Sequence, residues 1–279
     1  MATPPIERIK NAFPRCDWSG CGRRPRPWSF LQGNREGVRL HDHWYCGAAC
    51  FEKAACVIFT ELLRVARKRQ SKHHRVPIGL LLYSQGLVTQ DDLQAALKLQ
   101  RECGGRVGEW LRQCGAVNEN QVTTALATQW SRPIFPLDDL RHFLECAGLV
   151  PLPLLESVRM APVHWVPGPK LLYMAFAESI DYAALHTIEQ MLACRTEACL
   201  TPESALDRAL EELRRHERPP EFVFDSATQP QEMAAIARSY AQQLCAEEAQ
   251  IAACGEYLWV RFQSTDQVSN LLFKIWNHR

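Results

Sequence analysis

The sequence lacks the features of several common functional classes. No apolar run approaches the ~20 residues that a membrane-spanning helix needs. The N-terminal residues do not show the basic and then apolar stretches of a signal peptide. The phosphate-binding loop of ATPases, which ends in Gly-Lys-Ser or Gly-Lys-Thr, is also missing. We therefore expect a cytoplasmic protein without membrane insertion. We assign no catalytic residues and expect no enzymatic activity.

An excess of charge of one sign is absent as well. The 279 residues carry a formal net charge of +1, and 47% of them are apolar. The chain can therefore bury a core, and a polyanion is not the expected partner. One region keeps nucleic acid open as an alternative, because Arg23, Arg24 and Arg26 lie between Trp18 and Trp28. We expect this region to dock on a protein and do not expect nucleic acid as a partner.

Cysteine is abundant, with 12 residues. Most are scattered, as small core residues are in a reducing compartment. Four form two close pairs, Cys16 with Cys21 and Cys46 with Cys50, and 24 residues separate the pairs. A tetrahedral zinc site made only of thiolates requires such pairs and a spacer of this order. The four cysteines therefore predict a zinc ion.

The predicted zinc would be structural, because four thiolates leave no open coordination position. The cysteine spacing is similar to that of treble-clef and ribbon-like zinc modules. Two alternatives stay open. The four thiols could be unlinked buried cysteines, or His41 or His43 could replace one of them as a ligand.

The chain as a whole is expected to be an α+β protein in four pieces. Basic residues at 67–75 and a proline-containing stretch at 214–220 are expected to be linkers. The pieces are a small zinc module with a helix at 10–66, a four-helix tandem-repeat subdomain at 76–137, a small α/β subdomain at 138–215 and a C-terminal α+β piece at 221–279.

The last two pieces contain runs typical of hairpins. Met160–Val166 and Leu171–Phe176 flank a Pro-Gly-Pro turn, and Ala249–Ala253 and Tyr257–Phe262 flank a Gly-Glu turn. We predict two β-hairpins from these runs. Asp266–Trp276 is predicted to be a final helix.

An internal repeat with an offset of 29 residues is the most informative feature of the chain. Agreement at so many positions is not expected by chance. The matched pairs include Gly79 and Gly108, Leu82 and Leu111, Gly86 and Gly115, Leu97 and Leu126, and Gln100 and Gln129.

Each copy of the repeat is predicted to be a helical hairpin. Gly86 stands where a helix ends in a left-handed residue. Thr89 with Asp92 forms a capping-box pattern for the next helix, and Asn118 with Gln121 takes the same places in copy two. Two such hairpins make a four-helix unit.

The repeat resembles the MshEN-type domain found at the N-terminus of type II secretion and type IV pilus assembly ATPases. The family pattern is Arg-Leu-Gly, a leucine, a second glycine, two further leucines and a closing glutamine, given twice with a five-residue spacer. The spacer here is Arg101 to Gly105, and the tail Arg132–Leu137 is similar to the closing segment of the family. Residues 138–214 look like the small α/β subdomain that follows it.

The resemblance implies binding of cyclic di-GMP, a bacterial second messenger, between apolar side chains of both copies. Carried over by position, the nucleotide-binding residues are Ile78, Gly79, Leu82, Gly86, Leu87, Leu93, Leu97 and Gln100 from copy one, and Arg106, Val107, Gly108, Leu111, Gly115, Val122 and Leu126 from copy two.

One departure from the family pattern bears on binding. Copy one has Pro77 in place of the leading arginine, and Arg75 lies two residues earlier. An arginine makes a two-pronged contact that proline cannot make. The resemblance implies a regulatory adaptor that senses cyclic di-GMP and docks on a protein partner of secretion or pilus machinery. The alternative is a zinc-stabilised interaction protein whose repeat binds no ligand.

Overall fold

The computed structural model describes residues 15–24, 37–66, 76–137, 143–227, 229–265 and 267–275. Helices and strands both occur throughout these ranges, which confirms the α+β class. None of the described helices has both the length and the apolar composition needed to cross a bilayer. The chain divides into two compact units. The second unit is Gln70–Glu217, inserted into the chain of the first.

The elements follow one another as β1 (Val38–Leu40), β2 (His43–Tyr45), α1 (Ala48–Ala66), α2 (Ile78–Ser84), α3 (Gln90–Cys103), α4 (Val107–Gln113), α5 (Glu119–Trp130), α6 (Leu152–Val158), β3 (Met160–Val166), β4 (Leu171–Phe176), α7 (Tyr182–Leu192), β5 (Arg195–Leu200), α8 (Glu203–Arg215), β6 (Glu221–Phe224), α9 (Pro230–Gln243), β7 (Glu248–Cys254), β8 (Tyr257–Gln263) and β9 (Val268–Lys274).

The first unit contains a six-stranded sheet in the order β2-β1-β7-β8-β9-β6. Strands β1 and β7 run parallel, with Leu40 opposite Ala249. The sequence-based division treated 10–66 and 221–279 as separate pieces. That separation does not hold, because strands from both segments complete one sheet. The boundary within the second unit, near residue 137, stays a prediction.

Helices α1 and α9 cover one face of this sheet. Phe51 of α1 lies 6.1 Å from Phe262, and Phe59 lies 5.5 Å from Phe273, between ring centroids. Both α1 rings are fully buried. Burying a side chain of this size contributes about 1.5–3 kcal/mol to folding. The small residues of α9, such as Ala237, let the two helices approach closely.

The final helix predicted at Asp266–Trp276 is wrong. Residues Val268–Lys274 form strand β9 between β8 and β6. The apolar run Leu271–Phe273 is fully buried in this central strand. A short apolar run has the same pattern in a buried helix and in a buried strand, so its long-range pairing decides the outcome.

The second unit begins with the tandem repeat, whose four helices α2 to α5 occur as predicted. Both capping boxes form, at Thr89 with Asp92 and at Asn118 with Gln121. Gly86 has the predicted left-handed backbone, with φ 71°. The core residues again form pairs offset by 29, namely Leu82 and Leu111, Val88 and Val117, and Ala96 and Ala125.

Helices α2 and α4 meet at the first glycine of each copy. A Cβ atom on Gly79 would lie 2.6 Å from Leu93 Cδ1 and 3.3 Å from Val107 Cγ1. A Cβ atom on Gly108 would lie 3.7 Å from Ile78 Cδ1, across the same contact. The two copies therefore pack with a pseudo-two-fold relation, and a side chain at Gly79 would displace the Leu93 side chain.

The closing glutamines tie the two copies together reciprocally. The Gln100 side chain of copy one donates to the Gly105 carbonyl, at 2.9 Å. The Gln129 side chain of copy two donates to the Val76 carbonyl. Val76 and Gly105 are themselves 29 residues apart. Each glutamine therefore holds the segment that leads into the first helix of the other copy.

The α/β part of the second unit contains the sheet β3-β4-β5. The predicted hairpin is present, because β3 and β4 pair antiparallel. Strand β5 runs parallel to β4. The tail of the repeat adds to the free edge of β5, where the Phe135 amide donates to the Leu200 carbonyl at 2.8 Å. Helices α6 and α8 contact β3, and α7 contacts β5.

We expect the substitution Leu82→Ala to lower the free energy of unfolding by about 2–5 kcal/mol. The Leu82 side chain has no exposed surface, so its truncation leaves a cavity. Leu80→Ala on the same helix is the control, because Leu80 is 52% exposed. Urea unfolding of both variants measures the difference. Equal losses would contradict the repeat core described above.

We expect Gln100→Ala and Gln129→Ala each to cost about 0.5–1.5 kcal/mol of stability, the usual contribution of one hydrogen bond. The exposed Gln94 of α3 supplies the control substitution Gln94→Ala. Urea midpoints of the three variants test the reciprocal tie. Loss in only one of the two glutamine variants would mean that the tie is not symmetric.

Candidate functional site

The four clustered cysteines come from three local structures of the first unit. Cys16 and Cys21 flank a tight turn whose Gly20 has φ 88°. Cys46 follows strand β2, and Cys50 lies in the first turn of α1. Backbone bonds join these parts. The Cys16 amide donates to the Arg23 carbonyl at 2.9 Å, which closes the turn.

The cysteine geometry fits a tetrahedral metal ion. The four Sγ atoms of Cys16, Cys21, Cys46 and Cys50 all lie within 4.8 Å of one another. The Cys21 and Cys46 sulfurs are 3.5 Å apart, and those of Cys46 and Cys50 are 3.9 Å apart. Sulfurs bound tetrahedrally at ~2.3 Å from zinc lie about 3.8 Å apart. These four residues can bind a metal ion.

The thiols differ in acidity. The Arg23 backbone amide, followed by the Cys46 side chain, lowers the pKa of Cys21 to about 7. Burial raises the pKa of Cys46 and of Cys50 above the ordinary thiol value. A metal binds thiolates, so loading the cluster would release protons from the raised pair.

The structure places residues of two alternatives from the sequence, the histidine ligands and the Arg/Trp stretch suggested for nucleic acid. Neither His41 nor His43 belongs to the four-residue cluster found among the described residues. His43 Nδ1 lies 3.3 Å from an Asp17 carboxylate oxygen, at the surface. Trp18 packs against the core of the unit. The Lys53 ammonium lies over its ring, 5.9 Å from the ring centroid. Arg26 and Trp28 lie outside the described residues.

A cleft of about 260 Å³ lies in the second unit, between copy two of the repeat and the α/β part. Five residues from the predicted nucleotide set line it. They are Ile78, Arg106, Gly108, Val122 and Leu126. Ile78 comes from copy one and the other four from copy two. The structure thus brings residues of both copies to one cavity.

The other predicted nucleotide-binding residues lie outside this cleft. Leu82 and Leu111 are fully buried in the repeat core. Gly86 and Gly115 end the first helix of each hairpin, with φ 71° and 73°. Gly79 is buried as well. The remaining members of the set are partly buried, namely Leu87, Leu93, Leu97, Gln100 and Val107. Arg75, the possible substitute for the arginine missing at Pro77, is not among the described residues.

Carboxylates that the sequence did not point to surround the arginines of the cleft. Arg106 forms an ion pair with Glu178, which follows strand β4. Arg112 lies 3.4 Å from Glu203 and 3.9 Å from Glu119, between charged atoms. Glu119 belongs to α5 of the repeat, whereas Glu178 and Glu203 lie in later parts of the chain. The proximity of Glu178 and Glu203 to the repeat arises only in the folded protein, so no local pattern could identify those two residues.

Glu119 is held at the N-terminus of α8. The Ser204 amide and hydroxyl each donate to its carboxylate at 2.7 Å. Burial on its own would raise the pKa of Glu119. The Ser204 hydrogen bonds and the Arg112 charge outweigh burial and bring that pKa below its usual value. Glu119 therefore stays ionised and faces Arg112, whose side chain is 38% exposed. The Arg106 side chain is 58% exposed and is thus the more accessible guanidinium of the cleft.

No protein-family model matches the chain. The type IV pilus assembly ATPase PilB of Thermus thermophilus is 25% identical over 133 residues, which are 48% of this chain and 15% of that protein. PilB of Myxococcus xanthus is 26% identical over 134 residues, which are 48% of this chain and 23% of that protein. The chain thus spans less than a quarter of the length of these two relatives.

Solved structures give a similar coverage. The structure of MshE with cdg has a TM-score of 0.44 and 26% identity, and the match covers 50% of this chain and 99% of that one. The N-terminal domain of XpsE has a TM-score of 0.37 and 15% identity, with coverage of 50% and 97%. The sequence matches to the two PilB proteins confirm the resemblance predicted from the repeat. About half of this chain is homologous to a part of the type IV pilus assembly ATPases.

Proposed function

We propose that this chain is a non-enzymatic regulatory adaptor that senses cyclic di-GMP through its repeat and docks on a protein of secretion or pilus machinery. The machinery is inferred from the pilus assembly ATPases to which the chain is similar. The observation that carries the ligand proposal is the position of Arg106. This leading arginine of copy two lies at a cleft that side chains of both copies line.

The cleft offers the two kinds of contact that a cyclic dinucleotide needs. Ile78, Val122 and Leu126 supply apolar surface for a guanine base. Arg106 supplies a guanidinium for a phosphate group, a charge-assisted contact. Since Pro77 cannot supply a second one, we expect binding weaker by one to two decades than with two arginines, from a loss of about 1.5–3 kcal/mol.

A second candidate function is an interaction protein whose repeat binds no ligand. Two observations favour it. Gly79 and the closing glutamines have roles in packing the repeat, so their presence does not require a nucleotide. Arg106 is also already paired with Glu178. A direct binding measurement separates the two candidates.

We expect calorimetric titration of the protein with cyclic di-GMP to give saturable binding that Arg106→Ala abolishes or weakens by tenfold or more, since the variant removes the phosphate contact. Arg101→Ala is the matched control, because Arg101 lies on the exposed side of α3, outside the cleft. Equal binding by wild type and Arg106→Ala would remove the proposed site. No binding by wild type would favour the ligand-free adaptor.

We also propose that the metal held by the four cysteines is zinc. The donor set contains only thiolates, and the sulfur separations match a zinc tetrahedron. Zinc supplies a cross-link between the Cys16–Cys21 turn and the start of α1. Because the turn, the β1–β2 hairpin and α1 belong to the first unit, this cross-link would stabilise that unit as a whole.

We expect the purified protein to contain one zinc ion per chain and to lose it in the variant Cys46→Ser. Since the free energy of metal binding contributes to folding, that variant should also unfold at a lower temperature. Cys245→Ser is the control, because Cys245 is exposed and outside the cluster. Elemental analysis and thermal unfolding provide the measurements. Unchanged zinc content and stability in Cys46→Ser would contradict the site.

A further inference from the structure

Glu178 is the residue lining the cleft that forms an ion pair with Arg106. It lies between strand β4 and helix α7, in the α/β part of the second unit. Its carboxylate forms an ion pair with the Arg106 guanidinium. The Glu178 side chain is 29% exposed and that of Arg106 is 58% exposed. The pair is thus partly screened by solvent and can open without disrupting a core.

The arrangement around Arg106 allows this side chain to move. Arg106 is the N-cap residue of α4, and its side chain makes no capping hydrogen bond. Arg112, the other guanidinium lining the described cleft, is held differently. It faces Glu119 and Glu203, and two hydrogen bonds from Ser204 fix Glu119. An anionic ligand in the cleft would therefore have to recruit Arg106.

We propose that Glu178 is an internal competitor for Arg106, displaced when the phosphate of a cyclic dinucleotide binds. This inference rests on the proposed function of the cleft. In the free protein the Glu178 carboxylate is paired with the Arg106 guanidinium, and this ion pair links the repeat to the α/β part. A bound phosphate takes the same guanidinium and breaks that link. Ligand binding is thereby coupled to one of the ion pairs between the two parts of the second unit, while the Arg112–Glu203 and Arg132–Glu197 pairs stay in place.

The Glu178 carboxylate lowers the affinity for the nucleotide, because the phosphate must displace it from Arg106. A neutral side chain at position 178 would remove this loss of affinity. Glutamine is close to glutamate in size and shape but carries no charge. A partly exposed ion pair contributes little free energy, so removing it should raise the affinity for the nucleotide only moderately. We expect Glu178→Gln to bind cyclic di-GMP roughly two- to tenfold more tightly than wild type. The difference should shrink as salt rises, because screening weakens the competing pair.

Calorimetric titration of the full chain with cyclic di-GMP, at low and at high salt, tests this proposal. Glu197→Gln is the matched control, because Glu197 also pairs across to the repeat, with Arg132 at 2.8 Å, but lies outside the cleft. Tighter binding in Glu178→Gln alone, with the gap narrowing in salt, is the expected result. Binding detectable only in Glu178→Gln would support the competition equally.

Three other outcomes would overturn the competition, and they differ in what they say of the nucleotide site. If wild type binds and Arg106→Ala does not, but Glu178→Gln binds no more tightly than wild type, the competition is overturned and the nucleotide site stands. If neither wild type nor Glu178→Gln binds, the nucleotide site itself is overturned, and the competition with it. Equal tightening in Glu178→Gln and Glu197→Gln would also overturn it, since the effect would then be a general change in charge.

Discussion

The second unit depends on the close approach of α2 and α4, where Gly79 and Gly108 face each other's helix. Ile78 and Val107 fill the space beside the two glycines. This contact sets the relation between the two hairpins, and the reciprocal glutamine bonds fix the segments leading into them. The cleft follows from that geometry, because Ile78 of copy one can then reach the wall formed by copy two.

The same packing separates residues that the fold requires from residues that it does not. The glycines, the buried leucines and the glutamines of the repeat all have structural partners. Arg106 has an exposed side chain and no part in the repeat core. Its presence in copy two, against Pro77 in copy one, is therefore the feature that bears most directly on ligand binding.

Local patterns predicted what local interactions determine. The 29-residue offset, both capping boxes and the β3–β4 hairpin follow from residues close in the chain, and all are present. Long-range pairing was not predictable in this way. Strands β1 and β7 pair although their residues are about two hundred positions apart, as the Arg39–Glu248 ion pair illustrates. The helix prediction at strand β9 is wrong for the same reason, since pairing with β8 and β6 determines the conformation of these residues.

The candidate sites illustrate the same limit. Cys16, Cys21, Cys46 and Cys50 could be identified by spacing, because chelation imposes short spacings on each pair. Glu178 and Glu203 could not, since they reach the cleft from the loop after β4 and from α8. We propose that the repeat is a receptor for one cyclic dinucleotide. Native mass spectrometry of the protein with cyclic di-GMP tests it most directly. We expect a species with the mass of the chain, one zinc ion and one nucleotide. A spectrum with no nucleotide adduct, under conditions that preserve the folded charge states, would contradict it.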